Sequence, residues 1–130
     1  MSMPCIVIAD DEHPVRLILA TKLRAEGYDV RECRDGDEAY DEVTRSIPDL
    51  LITDFQMPTM SGLALSMRLK AEEATAHLPV VMLTARGHAI SPEDLARTNI
   101  RHLLAKPFSA KQVVEKVRSV LPACPPSAAA

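Results

Sequence analysis

Residues 50–62 read "LLITDFQMPTMSG". An apolar and β-branched run leads into one carboxylate, Asp54. A turn follows at Met57-Pro58, and then Ser61-Gly62. A buried strand has no use for an unpaired charge. Asp54 therefore marks the end of the strand, where it either holds a turn or is presented to do chemistry.

The same grammar repeats on both sides. "PCIVIADDE" is an apolar strand over 4–9 that ends in acids. "HPVRLILATKLRAEG" carries apolar residues at 15, 18, 19 and 23 and stops at Gly27, which predicts a helix. "YDVREC" is a short strand. "DGDEAYDEVTRS" opens with Asp35 and Glu38 at the spacing of a capping box. After the strand "DLLITD", Ser61 is the expected cap of a third helix over 61–74. "LPVVMLTA" is the fourth strand. "SPEDLARTN" begins a short fourth helix with Ser91 as cap and Pro92 at its first position. "RHLLA" is the fifth strand, and "SAKQVVEKVRSVL" the fifth helix, with Ser109 and Gln112 again at capping-box spacing. The first, third and fourth strands are nearly continuous apolar runs, as expected of strands covered on both faces. Five strand–helix units with right-handed crossovers predict an α/β fold, a doubly wound parallel sheet.

The chain has 130 residues, 47% apolar and 25% charged, with a net charge of -3. That suits one globular domain, read here as residues 4–121. Residues 122–130, "PACPPSAAA", lack a periodic face and read as a frayed tail or the start of a linker. The mild charge argues against nucleic acid as a direct ligand. No apolar run is long enough to span a membrane, and no signal peptide is evident. Cys5, Cys33 and Cys124 are odd in number and scattered, so neither a disulfide framework nor a zinc site is expected. His13, His77, His88 and His102 share no metal-like spacing. A reducing cytoplasm is the expected location.

Ligands of open α/β sheets bind beyond the carboxyl ends of the strands. Those ends carry Asp10-Asp11, Asp54, Thr84 and Lys106-Pro107. Three carboxylates so close together repel, and a divalent cation such as Mg2+ relieves the repulsion. A phosphoryl group between that cation, Lys106 and the Thr84 hydroxyl would have its oxygens matched, with Asp54 as nucleophile.

Asp10-Asp11, "DFQMPTMSG", "LTA" and "AKPF" together resemble the receiver domain of bacterial two-component response regulators, chemotaxis regulators included, over residues 4–121. The resemblance implies a flavodoxin-like (βα)5 fold with strand order 2-1-3-4-5. It implies that Asp54 accepts a phosphoryl group from a sensor histidine kinase or phosphotransfer protein. Mg2+ (or Mn2+) would be held by Asp11, Asp54 and the Gln56 backbone carbonyl, with Asp10 helping through water. Thr84 and Lys106 would read the phosphoryl group, and the Lys106–Pro107 peptide would be cis. Gln56 and Arg86 occupy the two positions that tune phosphoryl lifetime. A downstream protein partner would be contacted through the face of the fourth helix, fifth strand and fifth helix. Self-association there would also be compatible with the family.

The chain departs from the family's pattern in strand 5. Leu103 stands where an aromatic switch residue is usual, and "ARTNIRHL" replaces the usual Gly-Ala. Strand alternation sends the neighbouring His102 to the opposite face. Two alternatives follow. One is a phosphate-independent interaction module on the same fold. The other, weaker, is an aspartyl-phosphate hydrolase of the haloacid dehalogenase type. That class needs a second Asp where this chain has Gln56, and a cap insertion for which the chain has no room. The chain is thus expected to accept phosphate without being a turnover enzyme.

Overall fold

The periodic apolar runs each find a layer. The computed structural model describes residues 3–84, 90–106 and 108–121. The elements alternate as β1 (Cys5–Ala9), α1 (His13–Ala25), β2 (Asp29–Cys33), α2 (Gly36–Arg45) and β3 (Leu50–Asp54). They continue as α3 (Gly62–Ala71), β4 (Val80–Thr84), α4 (Pro92–Ala96), β5 (Ile100–Ala105) and α5 (Ala110–Val120). The strands form one parallel sheet in the order β2-β1-β3-β4-β5, the flavodoxin-like order that the sequence resemblance implies. Arg86, His88, Pro107 with its expected cis bond, and the tail with Cys124 lie outside the described residues. Among the described residues no helix is long and apolar enough to cross a membrane.

Every residue of β3 and β4 is buried. Strand alternation divides them between two cores. Ile6, Ile8, Leu50, Ile52, Val81 and Leu83 meet Leu19 and Leu23 of α1 and Val113 and Val117 of α5. Val7, Ala9, Leu51 and Val80 meet Ala39 and Val43 of α2 and Leu65 and Leu69 of α3. Each large side chain so buried contributes about 1.5–3 kcal/mol by removal from water.

Helix caps follow the expected residues with one variation. Ser61 accepts from the Ala64 amide and Ser91 from the Asp94 amide, both at 3.1 Å. Ser109 and Gln112 form the full reciprocal box. Asp35 accepts from the Glu38 amide, but the Glu38 carboxylate accepts from the Arg34 amide rather than that of Asp35. The Arg34 guanidinium, 3.7 Å away, draws it one residue back.

Two helices differ from expectation. The buried stripe of α1 is Arg16, Leu19, Ala20 and Leu23, while Ile18 is 59% exposed. The stripe is turned by about one residue because the Arg16 guanidinium is pulled under the sheet edge, where it donates to the Asp10 carbonyl at 2.7 Å. Helix α3 ends at Ala71, not residue 74. The Thr75 hydroxyl donates to the Leu69 carbonyl at 2.6 Å, so a side chain takes the acceptor that a longer helix would use.

The segment between β3 and α3 is held tightly. The Gly62 amide donates to the Phe55 carbonyl at 2.8 Å. A Cβ on Gly62 would collide with the Asp54 carbonyl oxygen and press on Met82 Sδ at 3.1 Å. Thr59 takes a positive φ of 70°, an uncommon conformation for a β-branched residue. Its hydroxyl accepts from the Asp37 amide at the start of α2, at 3.3 Å. Gly62→Ala should therefore lower stability by about 1–3 kcal/mol, the usual effect of overpacking. The check is a lower urea midpoint with an unchanged denaturant slope. An unchanged midpoint would show that the loop is not confined in this way.

Candidate functional site

The sheet order reverses between β1 and β3, because the chain leaves β1 for β2 on one side and later returns to pair β3 on the other. The crevice beyond these two strands is where doubly wound sheets bind ligands. Asp10 and Asp11 follow β1 directly, and Asp54 is the last residue of β3. Carboxylate oxygens of the three lie within 4.8 Å of one another. Lys106 follows β5, and its amide still pairs with the Thr84 carbonyl at 2.8 Å. Its Nζ reaches back to 3.5 Å from Asp54 Oδ1. The cleft, about 220 Å³, is lined by Asp11, Glu12, Asp54, Gln56 and Lys106.

Asp10 is fully buried. Its Oδ1 accepts from the Glu12 amide at 2.9 Å, while Oδ2 has no hydrogen-bond partner. The side chain does not cap α1, whose N-cap residue is Glu12 and makes no side-chain cap bond. Burial pushes the Asp10 carboxyl up to about 6, and the Asp54 and Glu12 carboxylates push the same way against the Glu12 amide and Lys106. Asp54 is likewise raised, by burial first, with Lys106 opposing. Burial acts to lower Lys106, but Glu12, Asp10 and Asp54 together raise it and hold it as an ammonium. Unsatisfied buried carboxylate oxygens are rare and destabilising. A hard divalent cation with oxygen ligands would satisfy Asp10 Oδ2 and relieve the repulsion, so the residues fit Mg2+.

The other expected residues fall into three groups. Gln56 is exposed on the rim of the cleft. Thr84 is buried at the end of β4 and its hydroxyl lies 3.5 Å from the Leu104 carbonyl, the backbone contact of an ordinary strand-end threonine. Leu103 does not join the acids. It is 42% exposed and lines a separate depression with Leu95, Ile100 and His102. A bulge at Val80/Val81 sets the phase of β5. Leu104 then enters the α1–α5 core, and His102 meets the Ser119 hydroxyl of α5 at 2.9 Å. Helix α4 has five residues, none buried, and does not cover Leu103.

Two residues of the site escape motif reading. Glu12 Oε1 lies 3.2 Å from Lys106 Nζ, closer than Asp54 does. Arg16 holds the Asp10 carbonyl, contacts His13 Nδ1 at 3.1 Å and faces Glu32 at 3.7 Å. Each has a signal in the sequence. Glu12 extends the acid pair to a triplet opposite one lysine, and Arg16 interrupts the apolar stripe of α1. Among the described residues the cysteines take no part: Cys5 Sγ accepts from Arg31, and burial pushes the Cys33 thiol up to about 12.

Known proteins agree with this architecture. The family model for the response regulator receiver domain matches residues 6–118. The phosphate regulon transcriptional regulatory protein PhoB of Pseudomonas aeruginosa is 34% identical over 116 residues, covering 89% of this chain and 51% of that protein. The chain thus spans about half the length of that relative. The receiver domain of Francisella response regulator 1452 superposes with a TM-score of 0.80 at 26% identity, covering 90% of this chain and 95% of that one. The chemotaxis response regulator CheY4 of Vibrio cholerae gives 0.84 at 24% identity, covering 92% and 100%, and speaks for the fold alone. An acid crevice at the switch point of a β2-β1-β3-β4-β5 sheet, matched to these relatives over nearly all its length, shows that the chain belongs to the response regulator receiver domain family, a family of signalling domains.

Proposed function

We propose that this domain, residues 4–121, acts in the cytoplasm and accepts a phosphoryl group on Asp54 from a sensor histidine kinase or phosphotransfer protein. One observation carries the reading. Asp54 stands at the mouth of the crevice with Lys106 Nζ 3.5 Å away and a buried, incompletely satisfied Asp10 behind it. A structural role for Asp54 gives no reason to keep that buried charge. Asp11, Asp54 and the Gln56 carbonyl would hold Mg2+ directly, with Asp10 behind. When bound, the ion neutralises charge on the transferring phosphoryl oxygens.

In the transfer, an Asp54 carboxylate oxygen attacks phosphorus. The new P–O bond forms as the P–N bond to the donor imidazole breaks, and the imidazole nitrogen keeps the electron pair and takes a proton. Lys106 pairs with the arriving oxygens. Gln56 and Arg86 set how water approaches the acyl phosphate. The Thr84 hydroxyl, now against the Leu104 carbonyl, turns to the phosphoryl group and draws on the backbone of β5. The phosphoryl adds about 1.5 to 2 negative charges. That charge shifts an equilibrium of α4, β5 and α5 and changes a protein contact on that face. With Leu103 half exposed and aliphatic, the relay acts through Thr84 and the β5 backbone more than through a side-chain rotamer. The relatives named as transcriptional regulators fit an output module joined to this domain, which itself has no nucleic-acid role.

Incubation with acetyl phosphate and Mg2+, followed by intact mass, tests the acceptor. The expected result is a single phosphoryl adduct that requires Mg2+ and is absent from Asp54→Asn. An adduct that persists in Asp54→Asn would overturn the assignment. So would no adduct from either acetyl phosphate or a phosphohistidine protein, which would favour the phosphate-independent module.

Asp10 gives an independent prediction. Its folded carboxyl, at about 6, lies above the ordinary value of 3.8. The stability tied to its proton is fully present below the unfolded value and is lost as pH rises through about 6. In metal-free protein, Asp10→Asn should therefore be stabilising at pH 7.5 by about 1–3 kcal/mol, with the gain shrinking toward pH 4. The same variant should bind Mg2+ more weakly. Urea midpoints across pH, with chelator present, check the first part. A destabilised variant at pH 7.5 would show that the carboxylate is satisfied after all.

A further inference from the structure

Among the described residues, the acid crevice carries more negative charge than one divalent cation and one lysine would balance. Among the described residues, Asp10, Asp11, Glu12 and Asp54 face a single ammonium, that of Lys106. Among these described groups, a bound divalent cation would still leave one negative charge. The surplus is Glu12, which is not among the three acids that converge on one cation position. Its side chain is 56% exposed, at the rim, and its carboxylate occupies the Lys106 ammonium at 3.2 Å. That is the group that must meet the oxygens of an arriving phosphoryl.

We propose that Glu12 is a specificity-determining residue for the phosphodonor, holding Lys106 in the free protein and repelling small free anions from the cleft. This rests on the assignment of Asp54 as acceptor. Two effects act together. Lys106 must leave Glu12 to bind the phosphoryl oxygens, and the Glu12 carboxylate faces any anion that enters beside Asp54. A dianionic metabolite phosphate meets both. A protein donor that sets a lysine or arginine against Glu12 neutralises the rim and frees Lys106 in one contact. Glu12 therefore favours a donor protein with a basic residue beside its phosphohistidine over free acyl phosphates. Because Glu12 is more exposed than buried, the repulsion is partly screened and should respond to salt.

The test compares wild type, Glu12→Gln and Glu12→Asp with two donors at saturating Mg2+. Acetyl phosphate is dianionic near neutral pH, while phosphoramidate is monoanionic. Glu12→Gln should be labelled about tenfold faster by acetyl phosphate at low salt, in the range of field effects at charged clefts. The gain should be smaller with phosphoramidate and should close as ionic strength approaches about 1 M. Glu12→Asp should behave like wild type. Mn2+ affinity, followed by electron paramagnetic resonance, should be the same or weaker in Glu12→Gln, because the charge that repels a dianion attracts a dication, and it should not tighten. Equal rates for wild type and Glu12→Gln would overturn the proposal, as would a gain that ignores donor charge and salt. A Mn2+ affinity that tightens in Glu12→Gln along with the rate would show that Glu12 acts through the metal instead. No labelling of wild type or of Glu12→Gln by either small donor, together with none of wild type by a phosphohistidine protein, would overturn the acceptor assignment itself, a result separable from all of these.

Discussion

Mutual repulsion of carboxylates at the end of a buried parallel sheet governs this molecule. Asp10 is fully buried with one oxygen unpartnered, and Asp11 and Asp54 bring oxygens within 4.8 Å. Such a group is expensive to keep in a low-dielectric setting. The surroundings are arranged to hold it. Arg16 grips the Asp10 carbonyl from below, the Glu12 amide donates to Oδ1, and Lys106 leans across from β5. The apolar cores on either face of the sheet supply the stability from which that repulsion is drawn. Residues that weaken a fold and yet sit together in a crevice are the physical mark of a functional site.

The backbone around the crevice is equally constrained. Thr59 is held at positive φ by contact with the start of α2, and Gly62 lies where no Cβ fits against the end of β3. The segment carrying Gln56 is thus pinned at both ends. At the other edge the packing is looser. Helix α4 buries none of its residues and Leu103 stays 42% exposed. A rigid site beside a thinly packed edge is the arrangement that the proposed change at one face would need.

The fold was legible because its signals are local and agree with one another. Strands buried on both faces are almost wholly apolar, and serine caps mark the starts of α3, α4 and α5. The strand order and the meeting of Asp10, Asp11, Asp54 and Lys106 follow from where a doubly wound sheet exposes its carboxyl ends. What escaped depends on side-chain reach. The stripe of α1 is turned by a buried arginine whose partner, the Asp10 carbonyl, has no signature in sequence. Glu12 and Lys106 are 94 residues apart, and their pairing rests on two rotamers. Helix α3 ends early through a threonine hydroxyl that competes with its backbone.

On the proposed reading the acid crevice is strained without a cation, and a divalent ion would relieve it. The direct measurement is the urea midpoint of wild-type protein at pH 7.5 against Mg2+ concentration, beside a matched series for Asp11→Asn. The expected midpoint climbs with Mg2+ above its dissociation constant, reporting about 1.4 kcal/mol of unfolding free energy for each tenfold increase, as expected for a ligand of the folded state alone. The climb should be blunted in Asp11→Asn. A wild-type midpoint that does not respond to Mg2+, or a response that Asp11→Asn shares in full, would contradict it.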